Sequence, residues 1–197
     1  MSEKKPPNSP ATEEQILAAN IGKPLILNST IELKPYDPEW PSLYAALATR
    51  IRAALGTKVL LLEHVGSTSV PRLSAKPVID IVLAVSDSAD ESAYVPALKH
   101  EGYVLRIREP DWFQHRLLKS PAADVNLHVF SEGCEEIRRL LVFRDWLRTH
   151  EDDRALYERT KRDLAARTWK YMQNYADAKS EVVNQILARA LDAEECC

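Results

Sequence analysis

The stretch 62–85, Leu-Glu-His-Val-Gly-Ser-Thr-Ser-Val-Pro-Arg-Leu-Ser-Ala-Lys-Pro-Val-Ile-Asp-Ile-Val-Leu-Ala-Val, decides how this chain is read. Val59 to Val65 reads as a strand, apolar until it closes on Glu63-His64. Gly66 to Lys76 reads as a loop. Val78 to Val85 is nearly all apolar and β-branched, the composition of a strand buried on both faces. Its one polar residue is Asp80. A carboxylate in such a strand costs several kcal/mol unless it is paired or bound to a metal.

The chain has only five glycines, so Gly66 needs a reason. A glycine directly after a strand lets the backbone turn tightly and lets a phosphate approach the main chain. Ser67 and Thr68 add hydroxyl and amide donors, and an anion can sit in such a nest without a full phosphate-binding loop. A plain turn explains Gly-Ser-Thr equally well. No Gly-x-x-x-x-Gly-Lys-Ser/Thr is present, which argues against a P-loop kinase. For Asp80 two readings stand: a carboxylate hydrogen-bonded to a loop amide or an arginine, or a Mg²⁺ ligand that orients an attacking hydroxyl. Mg²⁺ takes one or two carboxylates plus phosphate oxygens, and it stabilises charge on a transferring phosphoryl or nucleotidyl group.

Outward from this stretch, Met1 to Pro10 reads as a polar, disordered tail. Thr12 caps a short helix through Ala19. Ile31 to Leu33 is a short strand candidate. Tyr36-Asp37-Pro38-Glu39-Trp40-Pro41 starts a helix, with Asp37 as cap and Pro38 first. Trp40, Leu43, Leu47, Ile51 and Leu55 follow at helical spacing, and Gly56 ends the run. Tyr36 and Trp40 are read as core. A helix lies within Ser86 to Gly102. Strands are expected at Tyr103–Ile107, Phe113–Leu118 and Val125–Phe130, the last two separated by a turn at Ser120-Pro121. After Gly133 three helices follow. Their apolar faces are Ile137/Leu140/Leu141/Leu147, then Tyr157/Leu164/Trp169, then Tyr175/Val182/Val183/Ile186/Leu187/Ala190. The order predicts an α/β sheet core over about 31–131 and a helical segment over about 134–192. Residues 1–20 read as a tail with one short helix, and 193–197 as a C-terminal tail.

The whole chain has 197 residues and a net charge of −3, which excludes bulk attraction to nucleic acid or membrane. Any anion site must be a local basic cluster. Arg72 and Lys76 in the loop are the preferred phosphate contacts. His115, Arg116, Lys119, Arg139, Arg144 and Lys179 read as solvated charges. No run approaches the roughly 18–20 apolar residues of a membrane span, and the N-terminus lacks the apolar region of a secretory signal. Three cysteines, two of them the terminal Cys196-Cys197, do not make a disulfide framework. A cytoplasmic setting is expected. The terminal pair is read as a frayed tail, with C-terminal lipidation as the alternative.

Gly-Ser, a loop and then an acid on an apolar strand resembles the nucleotidyltransferase superfamily, whose motif is Gly-Ser followed by Asp-x-Asp. The chain is more closely similar to the GrpB-like family within it. That resemblance rests on Ile31-Glu32-Leu33 with Pro35 to Pro41, Glu63 to Pro71, Lys76 to Ile81, Asn126 to Phe130, Leu141 to Arg148 and Tyr175 to Lys179. It implies a mixed sheet flanked by helices, and an enzyme that binds a nucleoside triphosphate or nucleotide-bearing substrate with Mg²⁺ and transfers a nucleotidyl or related group. A nucleotide- or RNA-binding module without transfer is the alternative, as is acyl or amide-bond formation on the same fold. Against Asp-x-Asp only one acid stands, since Val78 and Val82 flank Asp80 on the same face. The implied site is therefore Asp80 and His128 as catalytic residues. Gly66, Ser67, Thr68, Arg72, Lys76, His64 and Asn126 hold substrate, and Glu63 joins Asp80 on the metal. His128 is equally readable as a half-buried strand residue.

Overall fold

The computed structural model describes residues 10–120 and 124–195. The two apolar runs of the opening stretch form β1 (Leu61–Val65) and β2 (Ile79–Val85), which pair antiparallel with Val65 opposite Asp80. The other strands are β3 (Val104–Glu109), β4 (His115–Ser120) and β5 (Val125–Ser131). β2 pairs parallel with β5, with Asn126 beside Asp80, and β5–β4 and β4–β3 are antiparallel. The sheet order is β1-β2-β5-β4-β3. This is the expected mixed α/β sheet, and the apolar β2 is an inner strand covered on both sides.

The helices are α1 (Glu13–Ala19), α2 (Trp40–Leu55), α3 (Glu91–His100), α4 (Glu135–Thr149), α5 (Glu151–Ala165), α6 (Met172–Ala178) and α7 (Ser180–Glu195). Strand alternation sends Ile79, Ile81, Leu83, Leu127, Val129 and Leu118 to one face. There they pack under α2 and α3 with Trp40, Ile51, Leu55, Tyr94 and Leu98 as the main core. Each fully buried aliphatic chain of this kind stabilises the fold by roughly 1.5–3 kcal/mol. The reading of Tyr36 and Trp40 as core holds: Trp40 is buried, and Tyr36 meets its ring edge-on at 5.4 Å.

The other face is divided. Val82, Ala84, Val65 and Phe130 form an apolar patch with Ile137 of α4. The rest of that face carries Asp80, Asn126 and His128 on β2 and β5. The helical segment closes over this polar end. Tyr157, Val182, Ile186 and Leu147 pack on Val70 and Leu73 of the loop that joins β1 to β2.

Several boundaries differ from expectation. Ile31–Leu33 is not a strand; Ile31 N–H bonds Ala165 O at 2.9 Å, and the isolated bridges Ser29–Trp169 and Lys34–Ala75 flank the segment. α2 begins at Trp40 rather than Pro38, because Asp37 Oδ1 accepts the Glu39 N–H at 2.9 Å in a turn before the helix. α5 ends at Ala165, so Trp169 lies outside it; its indole N–H caps the Leu164 carbonyl at 2.7 Å. The expected last helix is two, α6 and α7, split at Lys179. α7 reaches Glu195, so 193–195 is not a tail. α1 is docked on the domain: Ile21 N–H bonds Arg106 O at 2.8 Å, and Ala11 N–H bonds Asp177 at 2.7 Å. The disordered-tail reading over Met1 to Ser9, the turn at Pro121 and the fate of Cys196 and Cys197 lie outside the described residues. Among described residues no helix is long and apolar enough to cross a membrane.

Candidate functional site

Gly66 leaves β1 with φ 69° and ψ −174°, a backbone that L side chains rarely adopt. It is also the one glycine against which a side chain packs. A Cβ on Gly66 would lie 2.5 Å from Asp80 Oδ2. The missing side chain is what lets the Asp80 carboxylate lie against the turn.

Ser67–Ser69 then form one turn of 3₁₀ helix. Ser69 Oγ donates to Gly66 O at 2.6 Å, which fixes the turn internally. Two arginines of α4 hold its outward carbonyls. Arg144 donates to His64 O at 2.9 Å, and Arg148 donates twice to Ser69 O, at 3.0 and 2.9 Å. Ser67 faces the helical segment, where Lys161 Nζ of α5 meets its Oγ at 2.9 Å and also bonds the Ser74 carbonyl. Tyr157, one helical turn earlier, bonds Ser67 too, and burial pushes its phenol up to about 12.

Lys161 is only 2% exposed. Burial, followed by repulsion from Lys179, lowers its ammonium to about 7. Lys179, at the break between α6 and α7, is lowered by burial although Asp80 attracts it. Lys76 is lowered by burial and by Lys119 and Lys179, against the pull of Asp80. Lys119 stands beside Asn126 in the sheet. Lys76, Lys161 and Lys179, from the loop, α5 and the α6–α7 break, thus act on one carboxylate, and Lys119 of β4 adds its charge beside Lys76.

Burial works to raise the Asp80 carboxyl, but the nearby His128, the hydrogen bond from Asn126 and the charge of Lys179 outweigh it and hold it low. Asn126 Nδ2 donates to Asp80 Oδ1 at 2.7 Å, and His128 Nε2 lies 3.8 Å from the same oxygen. The site thus pairs an ionised acid with an excess of positive charge, which suits an anionic ligand brought against a group that can accept a proton.

Of the residues named from sequence, Gly66, Ser67, Lys76, Asp80, Asn126 and His128 come together. His64 and Thr68 do not. Strand alternation turns His64 away from Asp80, to the α2 face, where it stacks on Tyr44 at 4.9 Å. Its Nε2 meets Thr68 Oγ1 at 3.0 Å, and Thr68 donates to Val78 O. Burial lowers the His64 imidazole to about 4. The pair braces the turn from behind. Arg72 is exposed, in left-handed backbone at φ 67°, and makes no hydrogen bond or ion pair among the described residues. Glu63 shares the face of Asp80 but is held by Arg144 at 2.8 Å.

Of the two carboxylates expected on Mg²⁺, Asp80 lies in the site and Glu63 is turned to Arg144. Among the described residues no three His, Cys, Asp or Glu side chains could hold a metal together. Val78 and Val82 bring no second acid, and the charges nearest Asp80 include Lys76, Lys161 and Lys179.

Lys161 and Tyr157 escape a sequence reading centred on the loop, and Lys179, read there as a solvated charge, is instead lowered by burial near Asp80. Lys161 did leave a signal. It stands at i+4 from Tyr157 and i−3 from Leu164, a lysine on the buried face of its own helix.

Comparison with known proteins follows the same residues. The protein of Halalkalibacterium halodurans named UPF0157 protein BH1888 is 55% identical over 183 residues, covering 93% of this chain and 94% of that one. The crystal structure of conserved protein GrpB from Enterococcus faecalis superposes with a TM-score of 0.73 at 28% identity, over 83% of this chain and 99% of that one. A dephospho-CoA kinase of Mycobacterium bovis is 30% identical over 194 residues, 85% of this chain but only 48% of that protein. The model of the GrpB protein family matches residues 30–189, which take in the Gly66 turn, Asp80, His128 and all four lysines, and the chain belongs to that family.

Proposed function

We propose that this protein binds the phosphates of a nucleotide or nucleotide-bearing small molecule at the Gly66–Ser67 turn and transfers a phosphorus-linked group from it to an acceptor hydroxyl. Lysines, rather than a protein-held metal pair, carry the charge. The observation behind this reading is the convergence of Lys76, Lys161 and Lys179 on Asp80, with Lys161 bonded to Ser67. In a chain of net charge −3, burying Lys161 and half-burying Lys76 and Lys179 near one acid is costly without an anion to join them. The Mycobacterium bovis relative supports the ligand class, since its name gives a nucleotide-bearing substrate.

In this reading Asp80, ionised, takes the proton of the acceptor hydroxyl. The acceptor oxygen attacks phosphorus, the bond to the leaving phosphate breaks, and its electron pair departs onto an oxygen held by the lysines. The alternative, binding without transfer, draws on the absent second acid.

Calorimetric titration with ATP, dephospho-CoA and inorganic pyrophosphate, with and without Mg²⁺, tests the reading. Binding without Mg²⁺ is expected, with a loss of about tenfold or more in Lys161→Met or Lys179→Met, as for hydrogen bonds to charged groups worth about 1.5–3 kcal/mol each. Pyrophosphate release across an acceptor panel separates transfer from binding. Affinity that ignores both lysines overturns the site, and salt-sensitive RNA binding with no nucleotide binding favours the RNA module.

A further inference from the structure

His128 is not the end of the polar chain that starts at Asp80. Its Nδ1 lies 3.1 Å from Nε2 of His115, and His115 Nδ1 lies 2.7 Å from Glu109 Oε2. Asp80, His128, His115 and Glu109 therefore form one line across β2, β5, β4 and β3, all on the same sheet face. Register explains the line. His128 is opposite Leu117, so His115 is its diagonal neighbour, within reach of a ring. Glu109 is directly opposite His115.

That last pairing depends on an irregularity. Leu105 pairs with Leu118 but Ile107 pairs with Leu117, so Arg106 is an extra residue on β3. Without it, Arg108 would oppose His115 and put a guanidinium where a carboxylate now stands. The bulged Arg106 is held through its carbonyl, which accepts the Ile21 N–H at 2.8 Å. Displaced to the other face, Arg108 and Arg116 both bind Glu91 at 2.6 Å.

His115 is also sealed. It is 4% exposed, stacked on Phe130 at 4.7 Å and met edge-on by Trp112 at 5.2 Å. Glu109 at the far end keeps a third of its side chain in solvent.

We propose that His128 and His115 are a two-ring proton relay linking Asp80 to Glu109, so that a proton taken up at Asp80 leaves at the solvent-facing end of β3 while the ligand fills the mouth of the site. This rests on the reading of Asp80 as proton acceptor. Four ring nitrogens lie between two carboxylates. Two ring protons leave one junction without a hydrogen, and three complete every junction and place one positive charge on the ring pair. Transfer runs between these states. Asp80 gives its proton to His128 Nε2, His128 Nδ1–H passes to His115 Nε2, and His115 Nδ1–H passes to Glu109, which releases it to water. Only N–H and O–H bonds form and break. The 3.8 Å between Asp80 and His128 is the one junction longer than a hydrogen bond, and a small rotation of either side chain closes it. The charged groups facing the rings are Asp80 on β2, Glu109 on β3, Arg116 on β4 and Glu136 on α4, beside the neutral Asn126 on β5.

The test is nitrogen-15 NMR of the histidine rings in the full chain, without ligand. A relay predicts that Asp80→Asn changes the tautomer or charge of His115, a ring Asp80 does not touch, and that Glu109→Gln changes His128 from the other end. Either variant suffices if the other fails to fold. His100, on α3, is the control and should not move. If Asp80→Asn alters His128 alone and Glu109→Gln alters His115 alone, the relay is overturned and His115 is a buried ring satisfied by its neighbours. ATP binding, measured separately on wild type, keeps the two readings distinct: intact binding with no coupling removes the relay and leaves the proposed function standing.

Discussion

The two faces of the sheet use the same strands for opposite purposes. Toward α2 and α3, β2 and β5 present Ile79, Ile81, Leu83, Leu127 and Val129, every one of them at 4% exposure or less. Toward the helical segment the same strands present Asp80, Asn126 and His128 before returning to Val82, Ala84 and Phe130. One face is closed by dispersion and burial. The other is held by charge, and its lysines and carboxylate are arranged at some cost to stability. Stability and ligand binding should therefore separate by face.

The largest effect is expected on the packed face. Leu127→Ala should destabilise the fold by about 2–5 kcal/mol, the range for a buried leucine. Thermal and denaturant unfolding measure it, and the folded fraction should still bind ATP. A loss under about 1 kcal/mol would erase the distinction between the faces.

His64 belongs to that face and gives the next effect. Its imidazole falls from 6.5 to about 4 on folding. The unfolded chain then binds the extra proton between these values, so stability contributed by neutral His64 is present above pH 6.5 and lost as pH falls toward 4. The full difference is on the order of 3 kcal/mol at 1.36 kcal/mol per unit. Denaturation midpoints across this range should show the loss in wild type and a reduced slope in His64→Gln.

Gly66→Ala probes the seam between the faces. The new methyl meets Asp80 Oδ2 in a backbone that already disfavours alanine. Strain of this kind is of order 1–3 kcal/mol, and ATP affinity should fall with it as the carboxylate is pushed from the turn. Unchanged ATP affinity would show that Asp80 need not lie against Gly66.

The smallest stability effect belongs to Lys161→Met. Removing a buried ammonium relieves desolvation while it loses the bonds to Ser67 and Ser74, so stability should stay within about 1 kcal/mol of wild type, as when a buried charge is replaced by an apolar chain of similar volume.

Much of this was legible before the fold. Gly66, Ser67 and Asp80 stood out because the backbone and the burial penalty each demand an explanation, and Lys76 lay too close in sequence to fall elsewhere. His64 misled because adjacency in sequence places it beside Gly66, while strand alternation puts it on the opposite face from Val65 and Asp80. Lys161 and Lys179 arrive from helices about a hundred residues downstream, and no local pattern states where those helices dock. Glu109 depended on a bulge at Arg106, a register defect without a sequence signature here. The single acid, by contrast, was visible from the start, and the lysines supply a physical counterpart to its isolation.

The most direct test of the account is calorimetric titration of Mg²⁺-free ATP into wild type and Lys161→Met of matched stability. Wild type is expected to bind, and the variant to lose about tenfold or more in affinity, consistent with one charge-assisted contact. Equal affinity in the two proteins would contradict it.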